Sequence, residues 1–136
     1  MMKPALIDTD TISLFLRNQP QVVENFRAYL GEHDALSFSI ITYYEIVSGL
    51  KYRDAKKQLT SFLELASYSN ILPLTEQGVT IAADIYASLR VAGTPVDDID
   101  LLIAGSALAN HLELVTHNTK HFARISQLQL ADWTHA

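Results

Sequence analysis

The sequence predicts an α/β fold, a three-layer α/β/α sandwich with a mainly parallel central sheet. Short apolar runs alternate with helical segments along the whole chain, an order typical of parallel strands joined by crossover helices. No internal repeat or Pro/Gly/Ser-rich linker interrupts this alternation. With 136 residues, of which 49% are hydrophobic, the chain has the size and apolar content of one domain over residues 1–136.

The first half of the chain supplies two predicted strands and four predicted helices. Apolar runs and period-2 alternation indicate the strands, while Pro20 and the 3.6-residue apolar period after Asp54 indicate helices. In order, we expect a strand over 5–7, a helix from Asp10 or Thr11 to Leu16, a helix opened by Pro20, a strand over 36–39, a helix from Thr42 towards Leu50 and a helix from Asp54 to about Tyr68.

The second half continues the alternation. Pro73 within the apolar run 71–74 indicates an edge strand or the end of a strand, because proline cannot donate to a neighbouring strand. We then expect a long helix from Thr75 to Gly93, a helix over 98–110, a strand over 114–116 and a short terminal strand over 128–130.

Composition restricts the possible functions. The chain has no cysteine, which excludes a disulfide framework or a thiolate metal site and suits a reducing cytoplasm. No segment resembles a signal peptide or a membrane span, so we expect a cytoplasmic protein. The net charge of −5 argues against a general nucleic-acid-binding surface, although metal ligands in a nuclease would supply some of that charge.

Two acidic groups suggest a site for a hard cation. Asp8 directly follows the first strand, where parallel α/β sheets place their chemistry, and Asp97, Asp98 and Asp100 crowd together about ninety residues later. Oxygen ligands without cysteine favour Mg²⁺ or Mn²⁺. Asp8 has a simpler interpretation as a helix N-cap, and Asp97 and Asp98 as complements to a helix N-terminus.

Glu45 and Asp100 are two further acidic candidates for the site. Thr42-x-x-Glu45 matches a capping box, although Ser48 and Gly49 leave room beside Glu45 for a functional role. Asp100 heads the apolar helix face formed by Ile103, Ala104, Ala107 and Leu108, with no Lys or Arg nearby in the sequence. A partly buried carboxylate needs a compensating partner, and a metal ion is the economical one.

The segment after the strand over 114–116 offers further candidates. Asn118 is either a metal-site residue, directly or through water, or an ordinary turn residue. His117 and His121 are four residues apart but lack the Glu of a zinc-protease helix, so a zinc site is disfavoured. Four basic residues form a group that is either a solvated helix face or a guide for an RNA backbone: Lys51, Arg53, Lys56 and Lys57.

Four motifs in order resemble the PIN-domain ribonucleases, and among them the VapC-type toxins of type II toxin–antitoxin pairs. The motifs are Leu6-Ile7-Asp8-Thr9-Asp10; Ser39-Ile40-Ile41-Thr42 leading to Glu45 and Gly49; Gly93-Thr94-Pro95-Val96 leading to Asp98-Ile99-Asp100; and Leu114 to Asn118 leading to Phe122, with Trp133 near the end. Asn118 stands where many members have Asp, and Asp10 where the first motif often has Asn.

The resemblance implies a Mg²⁺-dependent endoribonuclease, with Mn²⁺ as a substitute, that leaves 5′-phosphate and 3′-hydroxyl ends. It assigns catalytic roles to Asp8, Glu45, Asp98, Asp100 and Asn118. Asp8, Asp100 and Glu45 would form the metal site, with Asp8 and Asp100 as the direct ligands. The resemblance also implies a homodimer, an RNA substrate and a small VapB-like antitoxin. The lack of a long apolar stretch predicts no association with a membrane.

Two other functions remain open. Asp8-Thr9-Asp10-Thr11 also matches the first motif of haloacid-dehalogenase-like phosphatases, in which Asp8 would be the phosphorylated nucleophile. The acidic cluster at 97–100 precedes Thr116 and Lys120, however, which is the wrong order for that family. A catalytically inert PIN-like module that binds RNA or a partner is the other alternative, and the presence of all three core carboxylates argues against it.

Overall fold

The computed structural model describes residues 1–136. Strands and helices alternate over much of the chain, as the sequence predicts. The elements are β1 (Ala5–Ile7), α1 (Thr9–Leu16), α2 (Pro20–Leu30), β2 (Ser37–Ser39), α3 (Ile40–Tyr52), α4 (Lys56–Ser67), β3 (Asn70–Leu72), α5 (Glu76–Val91), α6 (Asp98–Ala109), β4 (Glu113–Val115), α7 (Thr119–Phe122) and β5 (Leu130–Ala131).

Every pair of hydrogen-bonded strands is parallel. β4 lies between β1 and β5, and β2 pairs with β3 as a separate two-stranded ladder. β2 packs beside β1, so the two ladders adjoin. Since β3 bonds to β2 alone, the predicted edge position of the strand that ends before Pro73 is confirmed.

Two apolar cores, one on each face of the strands, make the structure a three-layer sandwich. In β1, Ala5 and Ile7 join a core that contains Phe26, while Leu6 between them joins a second core that contains Ile103. This alternation follows from the pleat of a strand, in which successive side chains point to opposite faces. Helices α1 to α4 cover the first face, and α5 and α6 cover the second.

Three predicted helix starts are wrong, and one of them is that of α4, which begins at Lys56 and not at Asp54. Helix α1 begins at Thr9 with Asp8 as its N-cap, not with Asp10 or Thr11. Helix α3 begins at Ile40, where the Ser39 hydroxyl accepts a hydrogen bond from the Ile41 amide at 3.0 Å. Asp8 directly follows β1, and Ser39 is the last residue of β2, so both α1 and α3 are capped where the strand ends.

The C-terminal region also differs from the prediction. The last strand is Leu130–Ala131, and the short helix α7 follows β4 where no helix was predicted. Four residues are too few to show a helical period, so the pattern gave no signal for α7. None of the helices is both long and apolar enough to cross a membrane.

Helices α5 and α6 approach each other most closely at two glycines. A Cβ on Gly105 would overlap the carbonyl oxygen of Gly78 and would lie 3.1 Å from the Cβ of Ala82. We therefore expect Gly105→Ala to lower the free energy of unfolding by about 1–3 kcal/mol, measured by urea denaturation. Gly49→Ala is the matched control, because a Cβ there would contact the Arg53 guanidinium alone, at 3.5 Å. Equal stability of the two variants would contradict this packing.

Candidate active site

The acidic edge, defined here as Asp8, Asp10, Glu45 and Asp100, gathers at the carboxyl ends of β1 and β4. The parallel register pairs Ile7 with Val115, and the Asp8 amide donates to the Val115 carbonyl at 2.8 Å. Asp8 and Thr116 are the residues that directly follow these paired strand ends, and their side chains face each other. This is the edge at which parallel sheets place ligands.

Asp8 is buried, with 5% of its surface exposed. Its Oδ1 accepts from the Thr9 amide, and its Oδ2 accepts from the Thr116 hydroxyl, both at 2.8 Å. Burial, with a smaller contribution from the Asp10 charge, raises the pKa of Asp8 to about 7. The predicted N-cap role is thus real, but it leaves a carboxylate whose negative charge is poorly compensated by the protein.

Asp10 belongs to the same cluster, although sequence reasoning left it out of the list of site residues. Its Oδ2 accepts from the His117 amide at 3.1 Å and lies 3.3 Å from the Thr116 hydroxyl. Thr116 Oγ1 also accepts from the Asn118 amide at 3.0 Å. Thr116 thereby connects β1 to the loop after β4. Thr116 directly follows an apolar strand, and this position indicates in the sequence that Thr116 lies at the edge of the sheet where the site forms.

Glu45 does not form the predicted capping box. Its Oε1 accepts from the Thr9 hydroxyl at 2.6 Å, which joins α3 to the start of α1. Thr42, the proposed cap, is buried inside α3, and its hydroxyl lies 3.0 Å from that of Thr9. The small face formed with Ser48 and Gly49 leaves Glu45 beside a cavity, as described below.

Asp100 lies in the first turn of α6 and is partly buried. Burial raises its pKa, the nearby Asp97 and Glu45 charges raise it further, and His121 opposes the increase. His121 Nε2 lies 2.9 Å from Asp100 Oδ2. The sequence argument considered only Lys and Arg nearby in the chain, and it missed His121 as a partner of Asp100. His121 comes from α7, the helix that the sequence did not predict.

Asp98 and Asn118 are exposed, at the start of α6 and at the N-cap of α7. The Asn118 side chain makes no capping hydrogen bond, and the backbone amide of Asn118 donates to the Thr116 hydroxyl oxygen. The catalytic roles of both residues stay predictions.

No three acidic or histidine side chains come close enough together to enclose a metal ion as they stand. His117 contacts Asp132 at 3.2 Å while His121 contacts Asp100, so the two histidines do not form a zinc pair. Mg²⁺, in contrast, takes one or two protein carboxylates and keeps several waters. The oxygen donors of the acidic edge fit that requirement, since burial, with a smaller contribution from neighbouring carboxylates, raises the pKa of Asp8 and Asp100.

A cavity of about 400 Å³ adjoins Glu45. It lies between α1, α3 and α4 and is lined mainly by polar side chains, among them Thr9, Arg17 and Arg53. Three members of the predicted basic group, Lys51, Lys56 and Lys57, are exposed and lie outside this lining.

We expect Asn118→Asp to strengthen divalent-cation binding, because it adds a negative charge next to Thr116 and the acidic edge. The measurement is a Mn²⁺ titration by calorimetry. Asn18→Asp is the matched control, since Asn18 is equally exposed and lies at the end of α1 away from the acidic edge. Equal or weaker affinity in a folded Asn118→Asp protein would contradict a role for position 118 in the metal site.

Comparison with known proteins agrees with this geometry. The PIN domain family model matches residues 5–128. Ribonuclease VapC1 of Haemophilus influenzae strain R2866 is 33% identical over 130 residues, which is 95% of this chain and 97% of the relative. The tRNA(fMet)-specific endonuclease VapC of Shigella flexneri is 28% identical over 95% of this chain and 97% of its own length.

Solved structures show the same fold. The DNA-bound VapBC complex from Salmonella typhimurium contains a chain that matches with a TM-score of 0.85 at 29% identity, covering 97% of this chain and 99% of that one. VapBC-1 from nontypeable Haemophilus influenzae matches with a TM-score of 0.83 at 31% identity, covering 96% and 98%. Both matches cover nearly the whole of this chain.

Proposed function

The chain belongs to the PIN-domain family, and from that membership we propose that it is a metal-dependent endoribonuclease, the toxin of a type II toxin–antitoxin pair. The observation that carries the proposal is the acidic edge. A carboxylate as buried as Asp8, with its pKa raised to about 7, is costly in a protein that has no cation to place beside it.

Nucleases of this family depend on a metal, and the residues present suit Mg²⁺, with Mn²⁺ as a substitute. Asp8 and Asp100 would hold the ion directly, with Glu45 and Asp98 contacting its waters and Asn118 assisting. When bound, the ion lowers the pKa of a water molecule and neutralises charge on the scissile phosphate.

The side chains around these carboxylates fix their orientation. Thr116 and the Thr9 amide each hold one oxygen of Asp8, and His121 holds one oxygen of Asp100. Thr9 engages Oε1 of Glu45, while Oε2 makes no hydrogen bond within the protein and is available to accept a proton from the attacking water. Such supporting contacts keep ligands and bases in their productive geometry.

The similar structures are complexes of VapC with VapB, so we propose a small VapB-like antitoxin as the partner of this chain. A basic antitoxin side chain in the acidic edge would provide a positive charge beside Asp8. We further propose that residues 1–136 form one nuclease domain, that two copies form a homodimer, and that the protein acts on RNA in the cytoplasm.

The phosphatase alternative makes a different chemical demand on Asp8, which would have to attack phosphorus. The acidic cluster at 97–100 precedes Thr116 and Lys120 in the chain, which is the wrong order for that family and disfavours the role. The test incubates the protein with a single-stranded oligoribonucleotide and with p-nitrophenyl phosphate. Cleavage of the RNA with Mg²⁺ or Mn²⁺, stopped by EDTA, supports the nuclease. Turnover of the monoester, or trapping of an aspartyl-phosphate on Asp8, would overturn it. Binding of RNA without cleavage would favour the inert module.

A further inference from the structure

Helices α1 and α3 each end in an arginine, eight residues after a residue of the catalytic region. Thr9 is followed by Arg17 on α1, and Glu45 by Arg53 on α3, and both arginines are C-caps. Eight residues of helix span about 12 Å. Thr9 and Glu45 touch at one end, at 2.6 Å, and both arginines line the same cavity at the other end.

The cavity that connects these two ends is lined by both polar and apolar side chains. Besides the arginines, the Ser13 hydroxyl and the Gln58 amide line it. Gly49 lies on α3 between Glu45 and Arg53, and a Cβ there would come within 3.5 Å of the Arg53 guanidinium. A larger side chain at position 49 would therefore fill the path between the acidic edge and the arginines.

Both guanidinium groups lack an anionic partner. The ion pairs of the chain involve Lys56 and three histidines, and neither Arg17 nor Arg53 lies within 4.0 Å of a carboxylate. Arg17 donates one weak hydrogen bond, from Nε to the Ser13 carbonyl at 3.4 Å, and the Arg53 side chain makes none. Attraction to the helix C-terminus explains why a cation stands at each position. This attraction does not occupy the N–H groups at the ends of the two guanidinium groups, which are free to bind an anion.

We propose that Arg17 and Arg53 form an anion subsite that binds a backbone phosphate of the RNA, about 12 Å along the cavity from the scissile phosphate. The inference rests on the proposed ribonuclease function and identifies how the substrate is held. Guanidinium groups bind phosphate oxygens through two parallel hydrogen bonds, which suits a pair of unpaired arginines. A chain with a net charge of −5 and four carboxylates at its acidic edge needs such a fixed cationic contact to retain RNA.

The test compares wild type with the double variant Arg17→Gln/Arg53→Gln in cleavage of one single-stranded oligoribonucleotide. We expect KM to rise by about tenfold or more, since charge-assisted hydrogen bonds are lost, while kcat stays within about twofold. The slope of log KM against log salt should fall by about 0.7 for each phosphate contact removed. Arg27→Gln on α2 is the matched control, because Arg27 is exposed and does not line the cavity. Arg17→Lys/Arg53→Lys should recover part of the affinity.

The possible outcomes separate this inference from the proposed function. If wild type cleaves RNA and the glutamine variant keeps its KM and salt slope, the subsite is wrong while the nuclease stands. Loss of kcat at constant KM would likewise overturn the subsite. If KM for RNA is unchanged but the affinity for an antitoxin peptide falls, the cavity binds a carboxylate of the partner instead. If wild type does not cleave RNA, the proposed function fails. Fluorescence anisotropy with the same oligonucleotide in EDTA then still measures RNA binding by the arginines. Equal affinity of wild type and the glutamine variant would overturn the subsite.

Discussion

Asp100→Ala is expected to reduce RNA cleavage by roughly a thousandfold or more, the scale of effect seen when a group of the catalytic machinery is removed. Asp100 reaches the acidic edge from α6, and its partly buried carboxylate has a raised pKa. Its replacement removes a proposed direct ligand together with the anchor for His121. No other element supplies a carboxylate that makes these contacts.

The same substitution should leave the fold intact. Removal of one of several neighbouring negative charges relieves repulsion in the metal-free protein, so the free energy of unfolding should stay equal or rise slightly. The experiment measures cleavage and thermal unfolding of the same preparation. Asp84→Ala on the exposed face of α5 is the matched control, and it should retain full activity. A stable, fully active Asp100→Ala protein would contradict the proposed ligand role.

His121→Gln distinguishes an orienting role for His121 from a purely structural one. Glutamine can still donate to Asp100, so this variant should lose less metal affinity than His121→Ala when Mn²⁺ binding is measured by calorimetry. Equal loss in both variants would show that the contact of 2.9 Å does not orient the carboxylate.

The sequence was sufficient where one local pattern determined one structural feature. The apolar run 5–7, Pro20 and the apolar period after Asp54 each correspond to an element of the structure. Asp8 and Asp100 were found because each follows or heads a buried segment, and a carboxylate there is conspicuous. These features depend on neighbours in the chain, which a single sequence displays.

Contacts between distant segments could not be predicted in the same way. Thr42-x-x-Glu45 satisfied the pattern of a capping box, yet α3 begins earlier and Glu45 binds Thr9 of another helix. The choice between the two hydrogen bonds depends on how α1 packs against α3. Likewise, His121 and Asp100 are separated by 21 positions, and the basic residue that compensates the acid is absent from its own helix. Tertiary packing, not local preference, decided both.

Asp8 should make the metal-free protein less stable as pH rises from about 4 to 7. Its pKa is about 7 in the folded state, against 3.8 for an ordinary Asp. Between these values the folded protein holds a proton that the unfolded chain has released, so each increase in pH favours unfolding. A shift of this size corresponds to about 4 kcal/mol of stability, which is present below pH 4 and is lost once pH exceeds 7. The raised pKa of Asp100 acts in the same direction.

The measurement is urea denaturation in EDTA across this pH range, for wild type and for Asp8→Asn. The amide cannot ionise, so Asp8→Asn should have a flatter profile and should be more stable than wild type at pH 8. Asp84→Asn, at an exposed position, should keep the wild-type profile. Addition of Mg²⁺ at pH 8 should raise the Tm of wild type more than that of Asp8→Asn, because a cation that binds the folded state stabilises it in proportion to its affinity. A flat wild-type profile between pH 4 and 7 would mean that the protein itself compensates the Asp8 charge, and the main physical reason for placing a cation at the acidic edge would disappear.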